Sequence, residues 1–163
     1  METNAQAMIS TRDEKIAYKI KLRQFCEHLL HERISATREA MANAQAAANA
    51  EEKSSAGDKY ETSRALSHLE KDMHARQLLA HTEQLSALLD INVHEVYSTA
   101  VAGSFIRCEH VNIFVAAGLA KHAVNGVDII FISPNSPLAR KLAGKKNGDN
   151  FEMNGTNKIV DIF

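Results

Sequence analysis

Two acidic residues in the middle of the chain have a spacing that suits chemistry. Asp58 and Glu61 stand three positions apart, and Glu51 and Glu52 precede them. Residues three apart on a helical turn lie on the same side, so both carboxylates could face one Mg²⁺ ion. Mg²⁺ demands octahedral oxygen coordination and retains its waters, so two exposed carboxylates alone hold it weakly. A metal-dependent role would therefore require ligands from a second macromolecule.

The same pair has a purely structural interpretation. Asp at the N-cap of a helix with Glu three residues later forms a capping box, and negative charge near a helix N-terminus is also favoured by the helix dipole. Spacing alone favours this capping interpretation over metal binding.

The histidines do not indicate a metal site. There are eight, but no His-Glu-x-x-His motif occurs. His28 with His31 and His74 with His81 are single pairs without a third ligand nearby in sequence, and a protein zinc site needs at least three ligands. Solvated histidines on helix faces are the simpler explanation.

Cysteine and glycine patterns are equally unspecific. Cys26 and Cys108 stand far apart without Cys-x-x-Cys spacing, which indicates two inert thiols and argues against a disulfide framework. The glycines between Ala143 and Asp149 do not match a phosphate-binding loop. The residues thus predict no autonomous active site.

Composition places the chain among soluble globular proteins. It has 163 residues, 45% of them hydrophobic, with 19 basic and 20 acidic side chains. This near-neutral balance argues against non-specific binding to duplex nucleic acid, which needs surplus Lys and Arg. No apolar run approaches the roughly 18 residues that span a bilayer, and the start of the chain is polar. We expect a cytoplasmic protein without membrane contact.

Glycine and proline divide the chain into two parts. Both prolines and six of the seven glycines lie beyond Ala102, which leaves only Gly57 in the first hundred positions. The first part, about Thr11 to Asp90, has the heptad spacing of two long helices. Ser54 to Asp58 separates them, because Gly57 can end one helix and Asp58 can cap the next. Residues 1–91 are therefore predicted to form an antiparallel coiled-coil hairpin with its tip near residues 57–61.

The predicted seam of this hairpin has two features that the structure can test. On the first helix it shifts by one residue after Leu29, and it then becomes rich in alanine toward the tip. On the second helix it follows the apolar residues Leu66, Leu69, Met73, Leu78, Leu85 and Leu88.

The second part, residues 92–163, is predicted to be β-rich. Strand candidates are Thr99–Arg107, Val111–Ala116, Val127–Ser133 and two strands around Asn150–Met153 and Lys158–Phe163. Asn154-Gly155 is typical of a two-residue hairpin turn. Residues 110–125 outside these candidates are expected to be loops. A short helix is expected after Ser133, with Ser136 as N-cap, Pro137 at the first position and Gly144 just past the end. The predicted fold class is α+β, with a bent antiparallel sheet closed over one helix.

The segment from Ser136 to Asp149 resembles the signature of the C-terminal domain of Gre-type transcript cleavage factors of bacterial RNA polymerase. That signature runs Ser-Pro-aliphatic-small-basic, then Leu-x-Gly-Lys, then Gly-Asp. The matching residues here are Ser136, Pro137, Arg140, Leu142, Gly144, Lys145, Gly148 and Asp149. The family also carries Gly-Asp-x-x-Glu at the tip of its coiled coil, which matches Gly57 to Glu61. The resemblance implies a helical coiled coil followed by an FKBP-like domain that docks on the polymerase.

The resemblance also implies a mechanism. The coiled coil would enter the secondary channel of the polymerase, where Asp58 and Glu61 would help to hold a Mg²⁺ ion shared with the polymerase active site. The polymerase would then hydrolyse its own backtracked transcript near the 3′ end. On this reading the protein is an accessory factor rather than an enzyme. It would act as a monomer, bind no cofactor stably, and meet the nascent RNA only through the polymerase.

Departures from the family pattern leave alternatives open. Family members usually continue Asn-Ala-Glu-Tyr after the acidic Glu and have an aliphatic residue after the Asp, whereas this chain has Thr62 to Ala65 and Lys59. One alternative is a channel-binding regulator or inhibitor without cleavage activity. A basic face of Arg64, Lys71 and Arg76 could guide RNA, or could be an ordinary charged helix exterior.

Two further classes of function differ from both the cleavage factor and the channel-binding regulator. An autonomous enzyme could be a prolyl isomerase, as an FKBP-like domain suggests, or a 3-oxoacyl-acyl-carrier-protein synthase. The latter needs a far longer chain and a nucleophilic Cys with His partners. A coiled-coil assembly module is the third class.

Overall fold

The protein has the predicted α+β fold class. The structure, a computed structural model, describes residues 9–54 and 58–163, without the side chains of residues 52, 54 and 58–60. Its elements in chain order are α1 (Arg12–Ser54), α2 (Asp58–Leu89), β1 (Phe105–Cys108), β2 (Asn112–Val115), β3 (Ala120–Val124), β4 (Val127–Ile132), α3 (Pro137–Leu142), β5 (Asn150–Glu152) and β6 (Thr156–Ile162). None of the described helices is long and apolar enough to span a bilayer.

The chain forms two compact units. One contains the beginning of α1, up to Glu27, together with Ala87–Phe163; the other is His28–Ser86. We call them the sheet unit and the helical unit. The sequence division at residues 91 and 92 cuts the chain once, whereas the sheet unit combines two separate stretches of it.

The strands of the sheet unit are hydrogen-bonded in the order β3-β4-β2-β1-β6-β5. Neighbours are antiparallel except β2 and β4, which are parallel, with Ile113 opposite Ile130. The expectation of a purely antiparallel sheet is therefore wrong. The reason is β3, because two reversals of direction between β2 and β4 return the chain to its original direction.

The strand β3 lies in the stretch expected to be loop. It is a mostly exposed edge strand of sequence Ala-Lys-His-Ala-Val, with one branched residue and none that is fully buried, so it lacks the enrichment in buried branched residues that marks a central strand. The sequence does contain one signal for this strand, the Asn125-Gly126 pair that directly follows it. Asn125 and Gly126 have φ of 51° and 79° and connect the paired residues Val124 and Val127, as in the two-residue hairpins that favour Asn-Gly.

The other predicted strands are present with adjusted bounds. The first begins only at Phe105, and Thr99 makes an isolated bridge to Lys146. The predicted final hairpin is confirmed, and Asn154 and Gly155 have positive φ. Its connection is three residues long rather than two, because Glu152 pairs with Thr156.

The first turns of α1 pack on the sheet through aromatic residues. Tyr18 meets Phe105 edge-on with ring centroids 5.2 Å apart, and Phe25 lies 5.4 Å from Phe131. Leu22 and Cys26 are fully buried on the same side of the helix. Tyr18, Leu22 and Phe25 follow the heptad spacing and were expected in the coiled-coil seam. The one-residue shift of the heptad pattern after Leu29 instead falls close to the boundary between the two units, where the partner of α1 changes.

A buried lysine ties this part of α1 to the segment that follows α2. Lys19 is 0% exposed, and its Nζ donates hydrogen bonds to the carbonyl oxygens of Glu95 and, at 3.1 Å, Gly103. The ammonium also lies 4.6 Å from the centroid of the Tyr97 ring. Burial lowers the pKa of Lys19 to about 8, despite the opposing effect of Glu95.

The helical unit has the predicted seam on α1 and only part of the predicted seam on α2, where Leu78 and Leu85 are half-buried. On α1, Leu30, Ile34 and Thr37 are buried as expected. On α2, Leu66, Leu69 and Met73 are 58%, 66% and 49% exposed, so their assignment to the seam is wrong. The partly buried residues that follow heptad spacing on α2 are Ser63, Ser67, His74, Leu78, His81 and Leu85. Polar residues occupy this seam, which is why a search for apolar spacing missed it.

Candidate functional site

The turn that the sequence predicts between the two long helices falls on residues 55–57, which lie outside the described residues. Helix α1 ends at Ser54 and α2 begins at Asp58, while Gly57 lies outside the described residues. Glu61 is in the first turn of α2 and its side chain is exposed. Asp58 and Glu61 are thus helical residues three apart, a spacing that sets side chains on one side of a helix.

Capping and metal binding both remain predictions for this pair, because the side chain of Asp58 lies outside the description. The donor set suits Mg²⁺, since carboxylate oxygens are hard ligands, but it supplies only part of the octahedral coordination that the ion requires. Among the described side chains, which exclude those of Glu52 and Asp58, His, Cys, Asp and Glu form no group of three placed to hold a metal ion.

The start of α3 confirms the predicted helix signals. Ser136 is the N-cap, its side-chain oxygen accepts a hydrogen bond from the Ala139 N–H at 3.1 Å, and Pro137 follows at the start of the helix. Leu142 is 0% exposed and belongs to the core of the sheet unit. These signature residues therefore serve the fold directly.

The second half of the signature shapes a loop. Gly144 and Gly148 have φ of 74° and 91°, in the left-handed region that favours glycine. Backbone hydrogen bonds join Gly144 and Lys145 to Ala100 on one side, at 3.1 and 2.9 Å. On the other side, the Gly148 N–H donates to Ile159 of β6 at 2.9 Å. The loop is therefore fixed at both of its ends.

Asp149 closes this loop internally. Its carboxylate accepts a hydrogen bond from the Lys146 N–H at 2.8 Å, and its own N–H donates to the Lys146 carbonyl at 3.0 Å. The resemblance assigned eight signature residues to polymerase docking. Six of them instead build or cap the local structure, a difference that the sequence alone did not reveal. They are Ser136, Pro137, Leu142, Gly144, Gly148 and Asp149.

The outward side chains of the same region are cationic. Arg140, Lys141 and Lys146 are exposed and Lys145 is half-buried. Lys141 also lines a groove of about 450 Å³, together with Pro137, Leu138, Glu152, Met153 and Asn154. We call these cations together with the groove the α3 surface. Its apolar floor and charged rim suit contact with a protein surface better than bond making or breaking.

The two thiols are not reactive groups. Cys26 and Cys108 are both buried. Burial raises the pKa of Cys26 to about 12, with a smaller contribution from Glu27, and burial raises that of Cys108 to about 11. Since the thiolate is the nucleophile, both are unreactive at neutral pH, in agreement with the prediction of inert thiols.

No family model matches the chain, and no curated protein matches it. Among solved structures, that of the transcription factor Gfh1 is similar to this chain, with 18% sequence identity and a TM-score of 0.36. The similarity covers 83% of this chain and 92% of that one. A likeness at this level identifies neither family nor function. The function must therefore be inferred from the residues of this chain.

Proposed function

We propose that the protein is a transcription factor of the Gre type that binds RNA polymerase and stimulates cleavage of backtracked transcripts. The observation that carries this proposal is the placement of Asp58 and Glu61 in the first turn of α2, four residues after α1 ends. An acidic pair at the break between two long helices, followed in sequence by the Ser136 to Asp149 signature, is the arrangement that the Gre resemblance implies.

In this mechanism, Asp58 and Glu61 are the residues that hold Mg²⁺ together with ligands of the polymerase. When bound, the ion activates water for phosphodiester hydrolysis. The exposed position of Glu61 in the first turn of a helix leaves its carboxylate accessible to another macromolecule. The protein is an accessory factor on this proposal, because its own two carboxylates are too few for an independent metal centre.

Docking is assigned to the α3 surface. The signature residues build and fix its loop, and Arg140, Lys141 and Lys146 project outward from it. Fixed backbone and exposed cations favour a preorganised contact with an acidic or mixed protein surface. This surface, rather than the helix break, would provide most of the affinity for the polymerase.

A second candidate function is supported by one sequence feature. Lys59 places a cation between the two acidic residues, and a positive charge there opposes binding of a metal ion. A factor with this tip could occupy the channel and slow transcription without stimulating cleavage.

The test uses stalled, backtracked elongation complexes and measures shortening of a 3′-labelled transcript. Wild-type protein should accelerate cleavage, whereas the Asp58→Asn, Glu61→Gln variant should not, although it still co-purifies with polymerase. The matched control is Glu70→Gln, Asp72→Asn, which makes the same charge change at exposed positions elsewhere on α2.

Three outcomes separate the alternatives. Full activity of the tip variant would exclude the carboxylate mechanism. Slower elongation with no added cleavage by wild-type protein would favour the inhibitor. Absence of any binding to polymerase would remove the proposed function altogether.

A further inference from the structure

The helical unit contains a cleft between α1 and α2 that the proposed function does not use. Its volume is about 150 Å³. Four small residues at seam positions lie half-buried along it, Ala44 and Ala48 from α1 and Ser63 and Ser67 from α2. Because these side chains are short on both helices, the seam does not fill the space between them.

The two rims of the cleft differ in chemistry. Arg64, His68 and Lys71 line it from α2, and all three are exposed. Their spacing of four and three residues keeps them on one face of the helix. On the α1 side, Gln45 and Asn49 line the cleft, and the Gln45 amide donates a hydrogen bond to Asn49 Oδ1 at 2.9 Å.

One acidic residue, Glu51, also lines the cleft. Arg64 and Lys71 are two positive charges against this one, so the charge of the lining is positive before His68 is counted. The lining also offers hydrogen-bond donors of three kinds, namely guanidinium and ammonium N–H, serine hydroxyl and side-chain amide.

We propose that this cleft binds the phosphate group of a small molecule, with Arg64 and Lys71 as its charged contacts and Ser63 and Ser67 as hydroxyl donors. Phosphate presents several acceptor oxygens in different directions, and Arg and Lys bind it through charge-assisted hydrogen bonds. A carboxylate has only two oxygens, both in one plane, so it can accept hydrogen bonds from fewer of these donors than a phosphate can. A ligand without charge would leave the cations without a role in binding.

The size of the cleft favours a small ligand over a nucleic acid strand. A cavity of about 150 Å³ holds a molecule about as large as benzene, so one phosphate group fits inside, and the remainder of a phosphomonoester would extend past the exposed rim. A strand would contact exposed Arg and Lys on the helix surface without needing the recessed serines. The site requires no polymerase, so its test is independent of the proposed function.

The experiment titrates isolated full-length protein with inorganic phosphate and with adenosine monophosphate at constant pH and ionic strength, followed by backbone amide NMR. Sodium acetate is the control ligand. Shifts should be confined to residues 44–51 and 63–71, with dissociation constants in the millimolar range or tighter. If adenosine monophosphate binds more tightly than inorganic phosphate, the ligand is a phosphomonoester; if the two are equal, it is the free anion.

Two variants test the named contacts separately. Arg64→Gln, Lys71→Gln removes the charged contacts, and Ser67→Leu fills the floor without changing the charge. Each should weaken phosphate binding by about tenfold or more, a factor typical for loss of one charge-assisted contact. The matched control, Arg38→Gln, Arg76→Gln, makes the same charge change at exposed positions that do not line the cleft and should bind like wild type. If Ser67→Leu fails to fold, comparison of the Arg64→Gln, Lys71→Gln variant with its matched control still tests the proposal.

The proposal is overturned if phosphate causes no confined shifts, or if the control variant loses binding as much as the cleft variant. It is also overturned if acetate binds equally well. Binding of single-stranded RNA without any response to inorganic phosphate or adenosine monophosphate would identify the cations as a nucleic-acid surface instead.

Discussion

At the scale of single residues, Lys19 is a charged side chain buried in the sheet unit. Its ammonium is fully buried, and two carbonyl oxygens and one aromatic ring replace its hydration. The pKa of Lys19 falls from the usual 10.5 to about 8 because burial disfavours the charged form. Between these pH values the unfolded chain binds more protons than the folded one at this residue. The free energy of unfolding contributed by Lys19 therefore rises with pH over this window.

Comparison with Lys19→Met isolates this effect. We expect the difference in unfolding free energy, wild type minus variant, to increase by up to about 3 kcal/mol between pH 8 and pH 10.5. One pKa unit corresponds to about 1.4 kcal/mol. Urea unfolding at a series of pH values measures both proteins. The buried thiols and Tyr18 titrate in both, so their opposite contribution cancels in the difference. Curves that stay parallel at every pH would show that Lys19 does not titrate in this window.

His81 is a second residue whose environment gives a testable effect. It occupies a seam position of α2, and its Nδ1 is buried without a hydrogen-bond partner among the described residues. His81→Leu removes this unpaired nitrogen and places an apolar residue between Leu78 and Leu85. We expect stabilisation by about 1–2 kcal/mol, measured by thermal unfolding. His31→Leu, at an exposed position, is the control and should change stability little; destabilisation by His81→Leu would show that the ring has a polar role in the seam.

At the scale of elements, the two long helices show what sequence patterns can and cannot reveal. Local chemistry decides the presence of the two long helices, the α1 seam through Leu30 and Ile34, and the caps of α3, so these features were predictable. The α2 seam was predicted only in part: Leu78 and Leu85 lie in it, but Leu66, Leu69 and Met73 are exposed, and serine and histidine occupy other seam positions. The strand β3 and the parallel pairing of β2 with β4 depend on long-range contacts that a local pattern does not encode.

The position of the seam can be tested by a pair of alanine substitutions. Ile34 is 6% exposed, whereas Leu69 is 66% exposed. Ile34→Ala should cost about 2–4 kcal/mol, as expected for truncation of a buried aliphatic side chain. Leu69→Ala should change the stability by less than about 0.5 kcal/mol. Chemical unfolding followed by far-UV circular dichroism measures both, and a large loss for Leu69→Ala would restore the apolar seam that the sequence suggested.

At the scale of the whole molecule, the sequence predicted where the candidate docking segment lies. It did not predict which residues of that segment build the loop and which are exposed cations. The signature segment was found as one block. The structure separates it into residues that build the loop, such as Gly148 and Asp149, and exposed cations such as Arg140 and Lys141. Which signature residues fix the loop depends on hydrogen bonds to Ala100 and Ile159, both outside the signature segment. The sequence alone could not make this distinction.

If the α3 surface docks and the helix break acts, the two functions separate by mutation. Arg140→Glu, Lys141→Glu should abolish both co-purification with polymerase and transcript cleavage, because reversing two cations turns attraction into repulsion at the contact. The control variant Lys21→Glu, Lys158→Glu reverses two other exposed cations of the sheet unit and should retain both co-purification and transcript cleavage.

The Asp58→Asn, Glu61→Gln variant should still bind polymerase, so an excess of it should inhibit cleavage that is stimulated by wild-type protein. The docking variant in equal excess should not inhibit. Inhibition by both variants would mean that the α3 surface is not the docking site, and inhibition by neither would mean that the tip carboxylates themselves provide the affinity.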